Sequence, residues 1–289
     1  TAFSWTRAAV AGITEIASSG AVASVSETLT NTTTAPISVT YVYTLLSGGC
    51  SNTQNVTVTV NPIPVLSSTL TPAAICSGTA FNYTATSATV VATYAWTRAV
   101  VAGITETATG AAGGVNETLT NTTPDPIAVT YVYAILANGC SNTQNVTVTV
   151  NPKPVLSSTL TPAAICSGST FGYTATSLTA GASFGWSRAT IIGIAQPGAS
   201  GASAVISETL TNTTTAPINV TYIYTITANG CSNTNNVVVT VNPIPVLSST
   251  LTPGAICSGS TFAYTATSAT AGASFAWTRA VVVGITVGD

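Results

Sequence analysis

Tyr94-Ala95-Trp96-Thr97-Arg98-Ala99-Val100-Val101-Ala102-Gly103-Ile104-Thr105 decides the fold, because versions of it return along the chain at a nearly fixed interval. Its tryptophan recurs as Trp5, Trp96, Trp186 and Trp277, in steps of 91, 90 and 91 residues. A unit of about 90 residues is therefore the unit of folding, and the 289 residues hold about three of them. Each unit is long enough to bury one small core, centred on that tryptophan.

The unit from Asn61 to Val150 serves as the template. Asn61-Pro62-Ile63-Pro64 opens it as a short, stiff joint: two prolines fix φ and remove two amide donors, so no hydrogen-bond ladder passes through. The joint stands again at Asn151–Pro154 and Asn242–Pro245. A first strand, broken near Pro72, is expected over Val65–Ser68 and Ala73–Cys76. Phe81, Tyr83 and Ala85 alternate with Asn82 and Thr84, the period of two of a half-buried second strand. The Trp96 strand is third. Gly103–Gly114 differs most between repeats and reads as a loop with a short edge strand. Val115–Leu119 follows as a strand, then a turn cluster over Asn121–Pro126. Val129, Tyr131 and Tyr133 occupy one face of a strong strand ending at Asn138-Gly139, a hairpin signal. Val146, Val148 and Val150 alternate with threonines in the last strand.

About seven short strands with regular turn signals and no helical period give an all-β chain, a tandem array of antiparallel β-sandwich domains of immunoglobulin-like order. The expected boundaries are a partial repeat over residues 1–60 that lacks the first strands, complete repeats over 61–150 and 151–241, and a partial repeat over 242–289 with the first strands only. Residues 1–16 match 273–288, so both terminal domains are incomplete. The reading adopted is a window on a longer array. The other reading completes strands A to C at the C-terminal side with the N-terminal part of a neighbouring chain.

Only 4% of residues are charged and the net charge is −2, so the polar surface must come from threonine, serine and asparagine. Little long-range repulsion then separates copies of this surface, which favours self-association into a homopolymer or against neighbouring repeats. There is no basic patch, so no nucleic acid partner is expected. No apolar run approaches the ~20 residues that span a bilayer, so no membrane insertion is expected either.

The chain has no histidine and a single lysine, and its acids are scattered. Nothing offers a group poised near neutral pH or a base to activate serine, so no enzyme and no catalytic residue is expected. Acids are not clustered as calcium requires, and no cofactor or metal is expected. The pairs Tyr41/Tyr43, Tyr131/Tyr133 and Tyr222/Tyr224 fit core and rim packing, with a sugar-stacking face for glycans as the other reading. Sequons at Asn55, Asn116, Asn121, Asn145 and Asn219 arise by chance in so threonine-rich a chain and carry no weight beyond leaving surface glycosylation open.

The few charges are themselves periodic. Arg7, Arg98 and Arg188 each follow a tryptophan by two residues, and Glu27, Glu117 and Glu208 stand 20, 19 and 20 residues further on. This suggests one partly buried Arg–Glu pair per repeat that fixes strand register. Arg279 is expected to have its partner beyond the last residue, and so to depend on a neighbour.

Six cysteines, Cys50, Cys76, Cys140, Cys166, Cys231 and Cys257, come two per repeat without metal-site spacing, and read as disulfide candidates in an oxidising setting. Pairing within a domain would join Cys76 to Cys140. In the immunoglobulin-like order, however, those residues sit at opposite ends of a sandwich. Cys76 to Cys231, between successive domains, is slightly preferred, with the other four pairing to flanking repeats or neighbouring chains.

Ile75-Cys76-Ser77-Gly78, Tyr94-Ala95-Trp96, Asn138-Gly139-Cys140-Ser141 and the closing Val-Thr-Val-Asn-Pro together resemble the PKD-like and immunoglobulin-like repeats of very large secreted surface proteins of Bacteroidota. The resemblance covers the whole chain. It implies secretion, by the type IX route, and an extracellular or cell-surface location. Such repeats serve as spacers, adhesin stalks and surface fibres. The expected function is a non-catalytic structural protein that forms or extends an extracellular filament, sheath or surface fibre. The alternative is the stalk or a glycan-binding module of a cell-surface adhesin, contacting its ligand through Gly103–Gly114 and its counterparts.

Overall fold

The computed structural model describes residues 1–286, and every regular element among them is a strand. The chain divides into two compact units, Thr1–Lys153 and Pro154–Asp289.

In the first unit, residues 1–60 form one antiparallel sheet. Its strands β1 (Ala2–Arg7), β2 (Ser18–Gly20), β3 (Ile37–Ser47) and β4 (Cys50–Val60) lie in the order β2-β1-β3-β4. Trp5, Ile13, Val39 and Tyr41 are its buried residues.

Residues 61–153 close into a sandwich. One sheet has the order β5-β11-β10-β7-β8 and the facing pair is β6-β9, built from β5 (Ile75–Cys76), β6 (Thr79–Tyr83), β7 (Thr93–Arg98), β8 (Thr109–Ala112), β9 (Val115–Leu119), β10 (Ile127–Ala137) and β11 (Cys140–Asn151). Alternation sets which side chains enter the core. β10 buries Val129, Tyr131, Tyr133 and Ile135 while Val132 and Leu136 face out. β11 answers with Val146 and Val148, opposite Tyr131 and Val129. From the other sheet come Phe81, Tyr83, Val115 and Leu119. The ring of Phe81 lies 5.3 Å from that of Tyr131, and Trp96 meets the same tyrosine edge-on at 5.3 Å. Edge-on ring pairs of this kind stabilise by about 0.5–1.5 kcal/mol beyond their buried area.

Between β10 and β11, Asn138 and Gly139 take φ of +49° and +80°, the left-handed pair that a two-residue hairpin of the right twist requires. At the far end of β11, β5 runs parallel to it, with Ile75 beside Val150 and Cys76 beside Asn151. The segment Val65–Ser68 does not form the strand expected of it. Pro62 and Pro64 withhold donors, and the remaining amides go elsewhere: Ser67 N donates to the Thr86 carbonyl at 2.8 Å and Leu66 N to Gln144 Oε1 at 2.5 Å.

The second unit repeats this plan in β12 (Ile165–Cys166), β13 (Thr170–Thr174), β14 (Ser183–Arg188), β15 (Ala199–Gly201), β16 (Val205–Thr209), β17 (Ile218–Ala228) and β18 (Cys231–Asn242). The sheet order is β12-β18-β17-β14-β15, with β13-β16 facing it. Its core holds Phe171, Tyr173, Ile206, Leu210, Tyr222 and Tyr224.

From residue 243 to 286 no strand is formed, although the sequence leads one to expect the first strands of a fourth repeat. The reason is pairing: β5 and β6 exist because β11 and β9 accept their hydrogen bonds, and a short strand without a neighbour is not stable. Trp277, expected in a core, is 86% exposed for the same reason. Residues 287–289 of that expected repeat lie outside the described residues.

Candidate functional site, a buried arginine clamp

Each tryptophan strand that forms a sheet carries the same polar cluster, which reaches from that strand to a glutamate outside its sheet. β7 alternates, so Trp96 and Arg98 point to the same side and both are buried. Arg98 Nε donates to Glu117 Oε2 at 3.0 Å and Nη2 to Oε1 at 3.3 Å, a two-pronged pair. Nη2 also donates to the Thr107 carbonyl at 2.6 Å, and Nη1 to those of Ala99 and Glu106 at 3.2 and 3.4 Å. Tyr131 OH donates to the same Glu117 oxygen at 2.6 Å. Arg98 therefore ties β7 to β9 and to the loop that follows it, and Glu117 ties β9 to β10 through Tyr131. The loop is tied a second time at Glu106, whose carboxylate accepts from Thr120 N at 2.9 Å.

The cluster recurs with the same geometry. Arg7 Nε lies 2.8 Å from Glu27 and Arg188 Nε 3.0 Å from Glu208, and each arginine side chain is almost wholly buried. Tyr41 and Tyr222 donate to those glutamates at 2.7 and 2.6 Å. The hydrogen bonds from Arg7 and Tyr41 hold the Glu27 carboxyl down at about 2. At Glu208, burial pushes upward, but hydrogen bonds from Arg188 and Tyr222 outweigh it and the net shift is down. Burial and the acceptor Glu27 push the Tyr41 phenol up to about 12. In the third repeat Gln196 replaces the loop glutamate, and its Oε1 takes the Thr211 amide at 2.9 Å. Arg279, expected to look outside the chain for its partner, is exposed.

Sequence reasoning missed two parts of this arrangement. The tyrosine hydroxyl is the third member of each cluster, so Tyr131 and Tyr222 are core residues with a polar duty, and fully buried. Neither they nor Tyr133 and Tyr224 form a face on which a sugar could stack. The second omission is Asn121. Its Nδ2 donates to the carbonyls of Asp125 and Val150 at 2.7 and 2.9 Å, and its Oδ1 accepts from the amide and hydroxyl of Thr123, each at 2.8 Å. Asn31 and Asn212 make the same bonds. The recurring Thr-Leu-Thr-Asn-Thr-Thr was the available signal. Beside it, Gly103 has φ of +84°, and a Cβ there would lie 2.6 Å from Ile127 Cδ1, so the invariant spacing of Gly103 and Ile104 follows from close approach.

Cys76 and Cys231 are disulfide-bonded, whereas Cys50, Cys140, Cys166 and Cys257 are free thiols. Bonds within a repeat, Cys76 to Cys140 or Cys166 to Cys231, are not made. Cys76 lies beside Asn151, the last residue of β11, and Cys140 is the first residue of that same strand. Twelve residues of strand separate the two by more than about 30 Å, against the ~7 Å that a disulfide allows. Cys166 beside Asn242 and Cys231 at the start of β18 stand in the same relation.

Among the described residues, no three of His, Cys, Asp or Glu come together in a group able to hold a metal ion, and no helix is long and apolar enough to cross a membrane.

The PKD-like domain family matches residues 73–154 and 163–245, more than half of the chain. The chain belongs to the PKD-like domain family. PKD-like domains are typical of extracellular proteins, and the disulfide is of the kind an oxidising compartment sustains. The same domains are typical of structural or adhesion modules. No curated protein sequence matches this PKD-like chain. Among solved structures it is similar to the IG1+IG2 pair of DIP-gamma at 11% identity, with 63% of this chain and 98% of that one covered and a TM-score of 0.33. It is similar to the I67–I69 I-band fragment of titin at 11% identity, covering 72% and 75% with a TM-score of 0.37. The insect immune protein hemolin aligns at 11% identity over 71% and 56%, with a TM-score of 0.32.

Proposed function

We propose that this PKD-like chain is a non-catalytic structural protein that forms or extends an extracellular filament, sheath or surface fibre through contacts between copies. The observation that carries this reading is the use to which ionisable groups are put. In three successive repeats the arginine and the tyrosine are bonded to one glutamate, and the arginine also to backbone carbonyls, so the repeated feature is a brace. What the repeats present outward is threonine, serine, asparagine and small apolar side chains, with almost no charge to hold copies apart. Partners on this reading are other copies or neighbouring repeats.

Electron microscopy of the secreted material, kept unreduced, tests the proposal. Ordered fibres with an axial spacing related to one or three domains are expected. Separate single chains would overturn it in favour of an adhesin stalk and move attention to a distinct binding domain.

A further inference from the structure

The strands that bury the aromatic core on one side turn every second residue to solvent on the other, and this outward face has the same make-up in each repeat. On β7, β10 and β11 the only charged side chain is Arg98, which is buried on the core side, and the same holds for Arg7 on β1, β3 and β4 and for Arg188 on β14, β17 and β18. The solvated face of an antiparallel sheet ordinarily carries polar residues. Here the middle strand sets an apolar one at its centre. Val132 is 42% exposed and stands between Thr97 and Asn145. Val42, 37% exposed, stands between Thr6 and Asn55, and Ile223, 46% exposed, between Ser187 and Asn236. Leu136 follows Val132 on the same face, beyond Ala134, and is exposed as well.

Many polar groups of the face are bonded to one another across the strands. The hydroxyls of Thr130 and Thr147 lie 3.0 Å apart and those of Thr40 and Thr57 3.2 Å. Thr240 Oγ1 donates to Asn219 Oδ1 at 2.8 Å, and Ser183 Oγ to Thr227 Oγ1 at 3.2 Å. Bonds made within the face survive when water leaves it, so covering it costs less than covering free hydroxyls. The same face selects its occupant. A charged partner would be stripped of water with nothing to pair its charge. No outward residue of β7, β10 or β11 is aromatic, so a sugar has no ring to stack on. A partner must be uncharged over the same extent, and that is what another copy of this face supplies.

We propose that the outward face centred on Val132, with its counterparts around Val42 and Ile223, packs against the same face of a second copy of this chain. The inference deepens the filament reading, and rests on it, by naming the contact between copies. Two such faces would stack as the sheets of a sandwich do, about 10 Å apart, with Val132 and Leu136 closing into a dry seam between them. Size sets how the contact works. Three strands over five residues cover about 250 Å² in plan, from strand spacing and rise, and even twice that for surface relief falls short of the ~800 Å² per partner of a stable pair. One face therefore does not hold two copies together. A chain carries the face in each of three repeats, and a partner held at more than one gains strength without any new kind of contact.

The test is sedimentation velocity and light scattering of the whole 289-residue chain over a dilution series. Mass should grow with concentration beyond the monomer. Val132→Lys should weaken that growth about tenfold or more, because like charges meet across the seam, and adding Val42→Lys and Ile223→Lys should remove it. The strand signal in circular dichroism should stay unchanged, since all three side chains are exposed. Val100→Lys, equally exposed but on the loop after β7, should associate as the parent does. The decisive arm mixes Val132→Lys with Val132→Glu: each alone should be weak, and the equal mixture should recover the parent's association, because opposite charges then face each other. A mixture no better than its components overturns the pairing of like faces. Association that survives the triple variant, or that Val100→Lys weakens as much as Val132→Lys, overturns the surface while leaving the filament reading standing. A parent chain that stays monomeric throughout overturns the proposal too. Separate chains in the native material would overturn the filament reading independently.

Discussion

Strand β4 and the first eleven residues of β11 are identical, Cys-Ser-Asn-Thr-Gln-Asn-Val-Thr-Val-Thr-Val, and each is the second arm of a hairpin in the same register. Their burial is opposite. Val56 and Val58 are 53% and 42% exposed, and their twins Val146 and Val148 are fully buried. Local sequence fixes the strand, its pleat and which side chains share a face. Whether that face is interior is decided by what the rest of the chain lays against it.

The largest break in this comparison should come from placing a charge at the twin positions. Val148→Asp puts an unpaired carboxylate in a closed core and should cost more than about 4 kcal/mol. Val58→Asp, measured where the chain is monomeric, should cost no more than about 0.5 kcal/mol. Equal losses in denaturant melts would mean that the first sheet is covered after all.

The clamps give a smaller contrast. Arg98→Met strands Glu117 and the Thr107 carbonyl inside a sandwich and should cost about 3–5 kcal/mol. Arg7→Met should cost less, since Glu27 stands on residues 25–29, which no neighbouring strand pins. An Arg98→Met protein as stable as the parent would show that the clamp contributes nothing.

Acid offers the finest test. Glu27 falls from an ordinary 4.5 to about 2 on folding, so the unfolded chain binds the proton first. Its contribution to stability is complete above about 4.5 and disappears as pH falls through about 2. Glu208 shifts in the same direction. A carboxyl resonance of Glu27 that titrated near its ordinary value would remove the Arg7 and Tyr41 bonds from the account.

The period of the tryptophans and the two-residue alternation of Val129, Tyr131 and Tyr133 made the sandwich legible in sequence, because burial on one face leaves a mark on every second residue. The periodic Arg98 and Glu117 drew the eye because charge is so scarce. Tyr131 as their hydrogen-bond partner was not legible: its identity is that of any core aromatic, and only the register of β10 against β7 brings its hydroxyl to Glu117. Asn121 was hidden for a related reason, since turn-rich sequence around it reads as a local loop while its bond to Val150 spans 29 residues. The missing strand over Val65–Ser68 shows the limit of apolar pattern near prolines. The failure of residues 243–286 to form strands shows that a strand signal is a request for a neighbour.

The clamps also determine what remains on the outside. Three arginines and their glutamates are withdrawn into the protein, and Glu15 and Glu106 are occupied by threonine amides, so solvent meets mostly hydroxyls, amides and methyls. Dissolved salt acts on exposed proteins chiefly by screening their charges, and here there is little to screen. Contacts between such surfaces are governed by the hydration of apolar groups, which loses strength on cooling. On the filament reading, cohesion between copies would owe little to charge screening and would weaken as the water cools.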